Sequence, residues 1–178
     1  QVFEEIQAFL SQQKTFVCYI KPNETVWNLL IQKNDELVEF TNQSGFVFVP
    51  FHEGKQVVIP FEGNKFSQGN LENLEQKTAE NFTSESNQKE DFEDLVFKGV
   101  SAIQKGEFDK VVLSRKLILK EQIAIVETFQ NLISTYPTAF RYLFFHPKIG
   151  LWIGATPEQL VKINQSQFET VALAGTQL

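Results

Sequence analysis

Apolar residues at Val2, Phe3, Ile6, Phe9 and Leu10 recur at helical spacing, so the chain opens with a predicted amphipathic helix. Phe16-Val17-Cys18-Tyr19-Ile20 then reads as a strand, stopped by Pro22. Strand-like runs return at Leu37 to Phe40, Phe46 to Phe51 and Val57 to Phe61, with Gly45 and Gly54 between them. Residues 1–61 therefore read as a helix followed by a small antiparallel sheet. From Glu62 to about Glu90, Asn, Gln, Glu, Ser, Lys and Gly dominate. Only Phe66, Leu71, Leu74 and Phe82 are sizeable apolar anchors there. That composition predicts a polar connector over residues 62–90, with room for one short helix.

Order resumes at Asp91. Phe92, Leu95, Val96, Gly99, Val100 and Ile103 fall on one helical face, and Gly106 is placed to end that helix. Phe108 to Leu119 reads as a long strand, and Ile125 to Ser134 as a second helix before Pro137. Ala139 to Phe145 and Gly150 to Ala155 predict a hairpin around His146-Pro147-Lys148. Thr156-Pro157-Glu158-Gln159 carries the signature of a helix start, and Phe168 to Ala174 reads as a closing strand. Helices and strands mix without strict alternation. The predicted class is α+β, with mixed or antiparallel sheets and flanking helices.

Composition adds limits. The 178 residues are 42% hydrophobic and 21% charged, which suits one domain or a domain with an extension. No apolar run reaches the ~18 residues of a membrane span, so neither a transmembrane helix nor a membrane partner is expected. No basic segment followed by an apolar one opens the chain, so no signal peptide is read. Sixteen Lys and Arg stand against 22 Asp and Glu, net −6. Such a surface repels a phosphate backbone, and nucleic acid is not an expected partner. Cys18 is the single cysteine, which excludes an internal disulfide and a thiolate metal cluster and points to a reducing, cytoplasmic setting. His52 and His146 are the two histidines, both expected in surface turns, and a multi-histidine metal site is excluded. The chain lacks methionine and stops directly after the strand-like run Glu169 to Leu173. Both features lead to the expectation of a fragment of something longer.

Three places offer chemistry. On an ideal strand Lys110, Val112 and Ser114 share one face, and Val111, Leu113 and Arg115 the other. Lys110 is then either a solvated edge residue or a partly buried amine whose neutral form acts as a base. Glu158 either complements the dipole of a helix start or serves as a carboxylic acid held in a pocket. Ala174-Gly175-Thr176 is either an ordinary turn or a place where backbone N–H groups approach a ligand carboxylate.

The order Phe108-Asp-Lys-Val-Val-Leu-Ser-Arg115, Gly154-Ala-Thr-Pro-Glu158 and Ala172-Leu-Ala-Gly-Thr176 resembles the chorismate-utilising enzymes. The resemblance runs from about Asp91 to Leu178, as the start of the chorismate-binding region. It implies the amino-terminal part of the anthranilate and aminodeoxychorismate synthase type of fold, incomplete at its carboxy end. It implies chorismate as the substrate, Lys110 as the base that activates water, and Glu158 as the acid. Ala174, Gly175 and Thr176 would bind a substrate carboxylate. The family's Mg²⁺ would be held by glutamates beyond Leu178, so this chain alone is expected to have no metal ligands and no activity. Lys110 and Ala174 together are most similar to the isochorismate synthase branch, in menaquinone or siderophore synthesis. A salicylate synthase and a non-catalytic module of the same fold are the alternatives.

Overall fold

The computed structural model describes residues 2–51, 53–71, 87–116, 118 and 122–171. In chain order these form α1 (Val2–Ser11), β1 (Phe16–Ile20), β2 (Val26–Ile31), β3 (Val38–Glu39), β4 (Gly45–Phe48), β5 (Val57–Pro60) and β6 (Lys65–Asn70). There follow α2 (Asn87–Gln104), α3 (Ile125–Thr135), β7 (Phe140–His146), β8 (Gly150–Thr156), β9 (Lys162–Asn164) and β10 (Gln167–Glu169). Two units result, Gln1–Lys77 with Ala124–Leu178, and Thr78–Ile123. The α+β class with antiparallel sheets and flanking helices is what the chain adopts.

The first unit is built on an antiparallel sheet of strand order β6-β2-β1-β7-β8. β1 lies at its centre with cover on both faces, which is why its sequence is apolar throughout. Phe16, Cys18 and Ile20 point to one side and meet Ile6 of α1 and Phe129 and Ile133 of α3. Val17 points to the other side, with Leu30 and Phe144, against Ile59 of a second sheet of order β3-β5-β4. Phe48 of that sheet stacks on Phe144 at 4.7 Å between centroids. Each fully buried Leu or Phe contributes about 1.5–3 kcal/mol relative to exposure.

Cys18 sits inside the helix-side core, where burial pushes its thiol up to about 12. The thiolate is the reactive form, so the native chain is expected to resist a thiol reagent at about pH 8 and to react only in denaturant. Rapid labelling of the native chain would contradict this packing.

Two strands of the main sheet carry little strand signal. β2 is interrupted by Asn28, buried and bonded through Nδ2 to the carbonyls of Tyr19 and Val26, both at 3.3 Å. β6, within the expected polar connector, is an edge strand that contributes backbone pairing rather than an apolar face. Gln68 of β6 donates to Asn28 Oδ1 at 2.7 Å. The expected short helix and the anchors Leu74 and Phe82 lie outside the described residues.

In the second unit α2 ends at Gly106, whose φ of +74° and N–H to the Ile103 carbonyl at 2.9 Å close the last turn. The strand expected from Phe108 onward does not form: residues 108–116 have no ladder partner. They run back along α2 instead. A Cβ on Gly99 would lie 3.3 Å from Val111 and 3.4 Å from Leu113, and the Arg115 guanidinium stands 5.7 Å from the centre of the Phe92 ring. The alternation is satisfied by packing on a helix, so no neighbouring strand is required.

Candidate functional site

Tyr19, Phe140 and Tyr142 project from the main sheet on the side facing β4, where they form an aromatic wall with Phe46. Tyr19 stacks on Phe140 at 5.8 Å, and Phe46 stands 5.8 Å from Tyr19 and 6.4 Å from Tyr142. With Phe48 and Thr156 these rings line an open groove of about 730 Å³. Burial raises the hydroxyl pKa of both Tyr19 and Tyr142, with the charge of Glu24 adding to the rise at Tyr19. No charged side chain is among the described residues lining the groove.

Thr156 joins this groove to the motif Gly154 to Glu158. Gly154 pairs with Tyr142, and a Cβ there would fall 2.6 Å from the tyrosine ring. Glycine is thus required for the Tyr142 ring to lie across the strand. Past Thr156 the expected helical turn is absent. The Glu158 N–H still donates to Thr156 Oγ1, at 3.2 Å, as in a helix cap. Downstream, Thr170 donates to the Leu160 carbonyl at 2.8 Å and the Val171 N–H to the Gln159 carbonyl. These bonds tie the segment to the end of the β9–β10 hairpin, so the cap closes a local turn.

Glu158 is exposed in the first unit, two residues beyond the groove-lining Thr156. Lys110 is exposed in the second unit, in the segment whose Val111, Leu113 and Arg115 lie along α2. Ala174, Gly175 and Thr176 lie outside the described residues, as does His52.

Sequence reasoning passed over the aromatic wall, although Tyr19 and Tyr142 occupy matching phases of two apolar strands and pair directly. It also missed two buried polar side chains on β7. Arg141 is 2% exposed, and its guanidinium donates to carbonyls of Lys21, Glu24 and Ala139 at 2.9–3.0 Å. His146, expected as a surface or turn residue, stands where the β7–β8 turn begins but is fully buried. The segment Gln32–Glu36 covers it, and its ring nitrogens find backbone partners there and in its own turn.

Among the described residues no group of three or more His, Cys, Asp or Glu is arranged to hold a metal ion. The described residues therefore offer no seat for the Mg²⁺ that the resemblance implies. No described helix is long and apolar enough to cross a membrane.

The family model described as chorismate binding enzyme matches residues 26–178, and the chain belongs to that family. A curated relative, anthranilate synthase component 1 of Archaeoglobus fulgidus, is 28% identical over 88 residues. That alignment covers 49% of this chain and 21% of the relative, so the match spans about a fifth of the relative's length. No solved structure matches the chain.

Proposed function

We propose that this chain is the amino-terminal part of an isochorismate synthase, which isomerises chorismate to isochorismate, with menaquinone synthesis as its setting. The observation that carries the reading is Lys110 in the segment Asp-Lys-Val-Val-Leu-Ser-Arg, within a family match that includes it. The amine of Lys110 takes a proton from water as the water oxygen bonds to C2. Glu158 gives its proton to the hydroxyl leaving C4, and the double bonds shift between the two carbons. One water enters and one leaves, so the net change is an isomerisation. A base and an acid are needed on opposite faces of the ring, in a site that excludes water. The backbone of Ala174, Gly175 and Thr176 takes a carboxylate of the substrate. A Mg²⁺ ion is expected with the complete enzyme, held by residues outside the described part of this chain; no step here is routed through it. A cytoplasmic setting goes with the same reading.

The relative's name favours a second reading, in which ammonia rather than water is added and anthranilate results. Lys110 argues against it, because a base for water is superfluous when ammonia is the nucleophile. A product assay on the complete protein separates the readings. Isochorismate is expected to accumulate from chorismate and Mg²⁺. Release of pyruvate with salicylate or anthranilate would overturn the assignment, and absence of any turnover would favour the non-catalytic module.

A further inference from the structure

We propose that His146 is a proton-operated latch on the β7–β8 turn, which its neutral ring holds closed by accepting the Lys148 N–H and which loosens when the ring is protonated. The ring is fully buried at the end of β7. Its Nδ1 accepts the Lys148 N–H at 3.0 Å, so in the neutral ring the proton sits on Nε2. Nε2 faces the Glu36 carbonyl at 3.5 Å, and the same carbonyl accepts from Gln32 Nε2 at 2.7 Å.

An added proton must go to Nδ1, where it meets an N–H donor in place of an acceptor. The turn hydrogen bond is lost, and a charge is created inside the fold. The charged groups facing the ring are the Lys148 ammonium of the turn and the Asp35 carboxylate of the connection. These two pair at 3.6 Å and oppose each other in their effect on the ring. Burial decides the balance and lowers the histidine below its ordinary value, followed by a raising influence of the Glu36 carbonyl. The latch is therefore closed at neutral pH. Its contribution is fully present above the unfolded-state value of about 6.5 and is lost as pH falls below it. Thr156 lies at the opposite end of the same hairpin, across from Phe140. The inference is independent of the reaction proposed above.

The test compares the protein with His146→Asn, whose side-chain oxygen accepts the Lys148 N–H without titrating. Between about pH 7.5 and 5.5 the folding equilibrium of the unaltered protein is expected to fall up to about tenfold more than that of the variant. Equal pH dependence of the two overturns the latch. Nitrogen NMR of the unaltered protein gives a second readout, which stands even if the variant fails to fold. It should show a bare Nδ1 that gains its proton only below about pH 6.5, with loss of Lys148 amide protection in step. An Nδ1-protonated neutral ring, or a titration at the ordinary value with the amide unchanged, equally overturns it.

Discussion

Lys110→Ala in the complete enzyme is expected to reduce conversion of chorismate to isochorismate by a factor of about 10²–10⁴, the usual worth of a positioned general base. The loss should appear in kcat, because in the proposed reaction the amine acts on water in the transition state and the substrate's carboxylates are held elsewhere. The fold should be untouched. Val111, Leu113 and Arg115 face α2, while Lys110 is exposed, so truncation at 110 removes little packing. Steady-state rates beside an unchanged circular dichroism spectrum and melting temperature check both halves. Near-normal turnover would remove Lys110 from the mechanism. A collapse of the melting temperature would make it a structural residue instead.

Arg141→Ala should cost about 3–5 kcal/mol of stability. The guanidinium joins the β1–β2 turn, through Lys21 and Glu24, to the start of β7 at Ala139, and it reaches the α3 carbonyl of Ile133 at 3.5 Å. Its removal leaves those carbonyls without their donor and opens a space at a buried position. Among the described residues its partners are backbone carbonyls; burial lowers its pKa, yet an arginine remains charged throughout the ordinary range. Arg141→Lys keeps the charge but not the planar fork, and it should recover only part of the loss. Urea denaturation midpoints measure both variants. A change below about 1 kcal/mol for Arg141→Ala would show that solvent replaces these bonds and that the clamp is not a major support.

Much of the first unit could be read before any coordinates. α1, β1, β5, α3 and the β7–β8 hairpin announce themselves through apolar periodicity, because each buries a face in the local phase of its own backbone. β2 and β6 were not read. One hides a buried, cross-bonded Asn28, and the other is a polar edge whose place depends on β2. The segment after Gly106 was read as a strand because period-two alternation marks any extended chain with two unlike faces. What covers one of those faces is a helix. The Thr156 signature failed as a helix start for a similar reason. A hydroxyl accepting the N–H two residues on serves a cap or an isolated turn equally well.

Of the candidate residues, the lysine, the glutamate and the motifs around them were visible as residue types in order. The aromatic groove was not, because Tyr19, Phe46, Phe140 and Tyr142 come from three strands far apart in the chain. Arg141 and His146 give no local sign of burial, since a charged or turn residue is exposed by default.

The sequence by itself determined the family, the α+β class and the apolar phase of most strands, because these follow from local periodicity and ordered motifs. Only the tertiary structure decided the strand order, the sharing of Tyr142 and Gly154 across one ladder, and the burial of Arg141 and His146. Those depend on which segments, distant in the chain, meet to satisfy one another's backbone groups, and local pattern does not encode that choice.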